Sequence, residues 1–188
     1  MASIWKYLIP VDFMSFSDIK SAREKAINAG ISAAIKSGAI SSADHCVVRE
    51  ADPVVDFLAG VGGWLTMTLA VVGTPVSVFS SAVPAALNPT LANNRFAVFY
   101  SVSVEDFPFP VTQLSFREGV QAGTTYAVFD LESLTTVNQQ VGFFSEPVPY
   151  EPQRVLNIVV TPRLATAAQA RVRLGCYIIE PGGPVISG

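Results

Sequence analysis

RFAVFYSVSVED, residues 95–106, sets Phe96, Val98, Tyr100, Val102 and Val104 at every second position. Successive side chains of a strand point to opposite faces, so this spacing predicts a strand with those five residues on one face. The same period recurs downstream. VTQLSFREG (111–119) alternates Thr112, Leu114 and Phe116. TTYAVFDLESL (124–134) sets Tyr126, Val128 and Asp130 against Ala127, Phe129 and Leu131. VGFFSE (141–146) is a short run that stops at Pro147. QRVLNIVVTPR (153–163) sets Val155, Asn157 and Val159 against Leu156, Ile158 and Val160. ARVRLGCYIIEP (170–181) sets Val172, Leu174, Cys176 and Ile178 against Arg171, Arg173, Gly175 and Tyr177. Six such segments with Gly/Pro turns between them predict a mainly β fold: an antiparallel β-sandwich or jelly-roll-like domain.

Upstream the pattern changes. IWKYLIPVDF (4–13) reads as an extended arm, because Pro10 opposes a helix. Ser15 or Ser17 can cap the segment that follows, in which Ile27, Ile31 and Ile35 fall on an i, i+4 row with Phe16, Ile19 and the alanines Ala22, Ala26 and Ala34 beside it. That is one amphipathic helix of roughly 20 residues. Asp18 and Lys36 suit its dipole, and Gly38 suits its C-terminal stop. Gly30 inside it weakens it by about 1 kcal/mol. The predicted organisation is therefore an arm and helix over 1–38 and a single β-sandwich domain over 39–188.

Between helix and strands lie two short extended pieces, HCVVRE and DPVVDFL; Asp44, Glu50, Asp52 and Asp56 in and beside them form a small acidic cluster at a spacing that fits no EF-hand loop. Residues 57–94 hold no Asp, Glu, Lys or Arg. FLAGVGGWLTMTLAVVG (57–73) is too short and too rich in glycine and threonine for a spanning helix, which needs about 20 apolar residues. Two uncharged strands, 64–72 and 75–80, followed by a loop, suit it better. No membrane span is predicted.

Charged residues make up 14% of the 188-residue chain and apolar ones 50%, with a net charge of −3. Charged residues are usually nearer about 25%, so the chain is expected either to bury surface against partners or to meet a membrane. The lysines Lys6, Lys20, Lys25 and Lys36 are confined to the first 36 residues, and no basic patch fit to neutralise a run of phosphates exists, so nucleic acid is not the expected ligand. Cys46 and Cys176 sit among apolar neighbours and read as core residues; neither a zinc cluster nor any other cofactor is implied. The first 13 residues lack the form of a signal peptide, which predicts synthesis and use without export.

Catalytic constellations are thin. His45 is the only histidine, no GxSxG elbow is present, and the glycine-rich AGVGG and EPGGP lack nucleotide signatures. Acids such as Glu105, Glu118, Glu146 and Glu151 suit loop-end hydrogen bonds and ion pairs to arginine. Asp130 alternates with Tyr126 and Val128; facing inward it would need Arg117, Arg154 or Arg173, and otherwise that face meets solvent. The chain reads as non-enzymatic. Three strand ends exit through acid–proline runs, VEDFPFPV, FFSEPVPYEP and YIIEPGGPV, which makes Phe107, Phe109 and Tyr150 loop-tip anchors. With Trp5, Tyr7 and Phe16 on the arm and helix start, they are the interface candidates.

An arm, one helix and a charge-poor β domain together resemble the structural proteins of virus and phage particles. The resemblance lies in architecture and composition and transfers no individual residue. It implies a capsid or capsid-decorating virion component that self-assembles symmetrically as a homo-oligomer, trimer or higher, alongside other virion proteins. The second reading is a carbohydrate- or protein-binding module of an adhesin or fibre.

Overall fold

Each of the six alternating segments becomes a strand, and short pieces of the rest of the chain complete two sheets around them. The computed structural model describes residues 4–52, 56–58, 66–69, 71–79, 90–91, 94–105, 109–119, 123–137, 139–165 and 169–182. In chain order the elements are β1 (Trp5–Lys6), β2 (Leu8–Pro10), α1 (Phe16–Lys36), β3 (Cys46–Glu50), β4 (Phe57–Leu58), β5 (Thr66–Thr68), β6 (Val76–Ser77), β7 (Thr90–Leu91), β8 (Phe96–Val104), β9 (Val111–Glu118), β10 (Thr124–Asp130), β11 (Val141–Tyr150), β12 (Asn157–Pro162) and β13 (Gln169–Pro181). One sheet runs β1-β10-β9-β12-β6 and the other β2-β11-β8-β13-β3, with β5 also on β13; β4 and β7 pair separately. The β1–β10 pairing is parallel and the other ladders are antiparallel. The expected strands at 64–72 and 75–80 are shorter than predicted: Thr66–Thr68 and Val76–Ser77 are strand, whereas 71–73 and 78–79 turn; residues 64–65, 70 and 80 and most of the loop after them fall outside the described residues.

The sheets face each other across an apolar core. Leu114, Phe116, Phe129 and Ile158 come from the first sheet, and Phe99, Val102, Val172 and Ile178 from the second. Phe116 is the hub: its ring lies 5.7 Å from Phe99, 5.8 Å from Phe129 and 5.6 Å from Phe144. Helix α1 covers the outer face of the second sheet over Phe96, Val98, Tyr100, Tyr177 and Ile179. Cys176 is in the inter-sheet core, and Cys46 is partly buried on edge strand β3; both are free thiols.

Strand β8 corrects the expectation of one apolar face. Phe96, Val98 and Tyr100 face the helix, whereas Val102 and Val104 face the other sheet. The cause is a bulge. Against β13 the register steps from Ser101↔Gly175 to Phe99↔Cys176, which leaves Tyr100 as an extra residue. One inserted residue switches every later side chain to the other face. Gly175 makes room for it: a Cβ there would lie 2.1 Å from Ser101 Oγ and 2.8 Å from the Tyr100 ring. Tyr100 stacks instead on Tyr177 at 4.8 Å.

The helix boundaries follow the capping signals. Ser15 Oγ accepts from the Asp18 amide at 3.2 Å and Asp18 Oδ2 accepts from the Ser15 amide at 2.9 Å, a reciprocal capping box. The Ser15 hydroxyl, which donates to Asp18 Oδ2 at 2.6 Å, and then the Ser15 amide hold the Asp18 carboxyl below its ordinary pKa. Gly38 follows with φ +77°. The face against the sheet, however, is the row Ala26, Gly30 and Ala34, with the isoleucines flanking it and Ile35 exposed. A Cβ on Gly30 would lie 2.0 Å from Ile179 Cδ1 and 2.5 Å from Val98 Cγ2. The glycine that weakens the isolated helix is what lets it approach the sheet.

Strand β11 does not stop at Pro147 as expected. It continues to Tyr150 with a register break between Phe143 and Val148. Its pairing with β2 covers only 142–144, so Pro147 and Pro149 sit where one side of the strand has no β2 partner, and a missing N–H is tolerated there.

Candidate functional site: an aromatic surface on the N-terminal arm

The arm straps one side of the sandwich. Residues 5–6 pair with β10 in the first sheet, and residues 8–10 pair with β11 in the second, so the chain crosses between sheets at Tyr7. The Ile4 carbonyl accepts from the Val128 amide at 2.8 Å and the Tyr7 carbonyl from the Ser145 amide at 3.1 Å. Lys6 Nζ reaches Glu146 at 2.6 Å, and Lys6 holds that carboxyl below its usual range by hydrogen bond and charge. Extended backbone alternates the side chains: Leu8 and Pro10 are buried, while Trp5 and Tyr7 are 53% and 68% exposed. Phe13, before the helix, is 75% exposed, and Phe16, in its first turn, 84%. At about 150–250 Å² per aromatic side chain, these four leave on the order of 500 Å² of ring surface open. Single exposed apolar residues are ordinary; four exposed aromatic residues within positions 5–16 make this segment the candidate interaction surface.

Beside these rings is a cleft of about 270 Å³ between arm and helix, lined by Ile9, Phe13, Met14, Ser21, Lys25 and Phe143 among others. Lys25 Nζ donates to the Ser145 carbonyl at 2.8 Å across it.

A second cleft, of about 240 Å³, is lined by Tyr126, Tyr150, Glu118, Glu151 and Arg154 together with Ala33 and Val155. Arg154 Nη1 pairs with Glu118 at 2.6 Å. Burial pushes the Tyr126 and Tyr150 hydroxyls well above their ordinary pKa, so both stay neutral; Tyr150 donates to the Arg117 carbonyl at 3.4 Å.

Of the six residues singled out in the sequence, Trp5, Tyr7 and Phe16 are together on the arm and helix start. Phe107 lies outside the described residues. Phe109 and Tyr150 are corrected: they are 6% and 4% exposed and belong to the inter-sheet core rather than to loop tips. Tyr150 ends a strand that runs through its prolines, and its ring packs at 5.7 Å on Phe99 and 5.9 Å on Tyr126. Asp130 is exposed, and its Oδ1 accepts from the Glu132 amide at 2.8 Å. His45 is exposed, with Nδ1 2.7 Å from Ser42 Oγ. Among the described residues no group of three or more His, Cys, Asp and Glu could hold a metal ion, and no helix is long and apolar enough to cross a membrane.

One cluster was missed. Asp56, fully buried, receives Arg49 Nη1 at 2.7 Å, Arg49 Nη2, and Arg95 Nη1 at 3.0 Å; Glu180 takes Nε of both arginines at 3.1 Å. The Asp52 amide adds a hydrogen bond to Asp56 at 2.7 Å. Burial would raise the Asp56 pKa. The Arg49 hydrogen bonds, the Asp52 amide and the charges of Arg49 and Arg95 outweigh it and hold the carboxyl below the ordinary range. The available signal was positional: Asp56 and Arg95 are the charges on either side of the uncharged stretch 57–94.

No family model matches the sequence, and no curated protein matches it. Among solved structures, a chain from Bacillus endospore appendages, described as a novel family of disulfide-linked pili, is similar at 13% identity and TM-score 0.35, over 74% of this chain and 90% of that one. A chain from infectious bursal disease virus, Gx strain, is similar at 12% identity and TM-score 0.37, over 76% of this chain and 35% of that one. At these scores neither likeness bears on what this chain does.

Proposed function

We propose that this chain is a non-enzymatic structural protein of a virus or bacteriophage particle, a capsid or capsid-decorating component that self-assembles symmetrically as a trimer or larger homo-oligomer. The observation that carries the reading is the exposure of Trp5 and Tyr7 on a strap that ties both sheets, and of Phe13 and Phe16 where it enters the helix. Rings held on a fixed backbone lose little freedom on docking, so they favour association. The sparse charge of the whole chain supports the same reading, since few ions must leave water when surfaces meet. Size exclusion with light scattering across the micromolar range, followed by electron microscopy of the concentrated protein, tests it. A closed symmetric particle or ring is the expected result, and a 20.0 kDa species throughout refutes self-assembly.

The second reading, a carbohydrate- or protein-binding module of an adhesin or fibre, is favoured by the cleft that combines Tyr126, Tyr150 and the Arg154–Glu118 pair. Neutral hydroxyls beside aromatic carbon are suited to a sugar. A glycan array on wild type and Tyr126→Ala separates the two: binding lost in the variant supports it, and no binding by wild type counts against it.

A further inference from the structure

We propose that the cleft lined by Tyr126, Tyr150, Glu118, Glu151 and Arg154 takes a single pyranose ring carrying a protonated amine, an amino sugar. This rests on the carbohydrate-binding reading and names its ligand. A cavity of about 150 Å³ accepts benzene, so the roughly 240 Å³ here holds one sugar ring and little more. Two departures from regular backbone build the site. On β10 the register steps from Thr125↔Arg117 to Ala127↔Phe116, which leaves Tyr126 as an extra residue, and a bulge of this kind re-aims a side chain. Gln153 has φ +62°, a left-handed conformation uncommon outside glycine. It lies in the turn that the Arg154 amide closes on the Glu151 carbonyl at 3.3 Å, and this turn sets Glu151 and Arg154 at the cleft together.

Charge selects the sugar. The lining holds two carboxylates and one guanidinium. Arg154 lies 2.6 Å from Glu118 but 3.5 Å from Glu151. Glu151 therefore keeps most of its acceptor capacity, since a carboxylate offers about four lone-pair sites. The half-buried Tyr126 ring adds a preference of the same sign, because the face of an aromatic ring attracts a cation. The Tyr150 hydroxyl is turned to the Arg117 carbonyl, so this residue offers the cleft its ring and not a donor. A pyranose laid on Tyr126 presents its C–H groups to the ring and its amine to Glu151, with hydroxyls left for the Arg154–Glu118 pair. A carboxylated sugar would meet two carboxylates whose one cation is already paired. All three charged side chains are more than half exposed, so solvent keeps the discrimination modest.

Chemical-shift titration of the full chain in mildly acid buffer, with glucosamine, glucose, N-acetylglucosamine and glucuronate, tests this. Shifts should centre on Gly119, Tyr126 and Arg154. Glucosamine should bind about two- to fivefold tighter than glucose, the scale of one exposed ion pair. N-acetylglucosamine, which lacks the charge, should bind no tighter than glucose, and glucuronate should bind weakest. Glu151→Gln should erase the difference between glucosamine and glucose. Glu132→Gln, at an exposed acid beyond the other end of β10, should keep it. Thermal melting checks that both variants fold as wild type does. If wild type binds glucose as tightly as glucosamine, or folded Glu151→Gln keeps the difference, the amine assignment is wrong while the carbohydrate reading stands. If no sugar shifts the cleft, both fail. Shifts with Nα-acetyl-lysine amide and with no sugar would give the cleft to a protein side chain and overturn both.

Discussion

Replacing Asp56 by alanine removes the buried carboxylate on which Arg49 and Arg95 converge. Breaking a buried ion pair costs about 3–5 kcal/mol because the remaining charge is left uncompensated. Here both arginines are partly exposed and keep Glu180 at 3.1 Å, which places the loss near the lower end. The Asp52 amide also loses its acceptor, adding about 1 kcal/mol. The expected destabilisation is about 3–4 kcal/mol, or a fall in melting temperature of about 6–16 °C for a chain of this size. Asp56→Asn can still accept from the Asp52 amide but carries no charge, so it should lose about half as much. The pH dependence has a definite sign. The Asp56 pKa is lowered by folding, so its contribution is present above the ordinary aspartate value of about 3.9 and is lost as pH falls through the lower folded value. The gap between wild type and Asp56→Ala should therefore hold at neutral pH and narrow in acid. Urea denaturation followed by circular dichroism at several pH values measures it. A neutral-pH loss under about 1 kcal/mol, or a gap that is unchanged in acid, would show that the cluster is no clamp.

Gly30→Ala should destabilise the protein by about 1 kcal/mol, since about 1 kcal/mol of helix propensity is gained against about 1–3 kcal/mol of overpacking on Ile179 and Val98; a stabilised variant in urea denaturation would mean the helix can lift from the sheet. Burial, more than any neighbouring group, raises Tyr100, Tyr126 and Tyr150 above the ordinary value of about 10, so their stabilising effect is intact below that pH and lost as pH rises toward the folded values; absorbance titration should show these three ionising only with alkaline unfolding, and ordinary reversible titration of all five would contradict the packing. Phe109→Ser should cost about 3 kcal/mol as a core truncation; a loss of assembly with unchanged melting temperature would instead restore it to the surface.

What periodicity could show, it showed where the backbone kept step. The six strands from residue 96 onward are where alternation put them, and Ser15 and Gly38 bound the helix because caps are local chemistry. Alternation could not reveal Tyr100 as an inserted residue, since a bulge is a property of two paired strands and not of one. Prolines near Tyr150 looked like a turn because their usual meaning is local, whereas their tolerance here depends on which side of β11 lacks a neighbour. For the candidate surface, Trp5, Tyr7 and Phe16 could be named as interface candidates from their place on the arm and helix start, but the sequence did not tell which arm side chains would be buried: Leu8 and Pro10 are, and Trp5 and Tyr7 are not. Phe13 and the cleft beside it emerge only when the arm lies across both sheets.

The Asp56 cluster was the least legible part, and it explains the oddest feature of the composition. Arg49 and Glu180 are 131 positions apart and Arg95 and Asp56 are 39, so no local pattern could join them. Yet the Asp56–Arg95 pair ties together the two ends of the uncharged stretch 57–94, and the 3.0 Å contact means the chain leaves and returns at one point on the second sheet. Parts of that excursion enter the inter-sheet core: Leu69, Val78, Phe79 and Leu91 are buried there, Val78 donating to the Ile158 carbonyl and Leu91 to the Arg154 carbonyl. A charge on those buried positions would need a partner inside the core, so the charges that anchor the stretch stand just outside it, at its base. An excursion tied at its root loses less chain entropy when its apolar residues dock than a free one would, because loop closure has already been met. Cutting the tie should therefore loosen the described parts of this stretch before the central strands: in Asp56→Ala, hydrogen exchange should rise first at the Val78 and Leu91 amides, ahead of Phe99 and Phe116. Uniform acceleration across all four would mean that the cluster stabilises the whole sandwich and not this excursion.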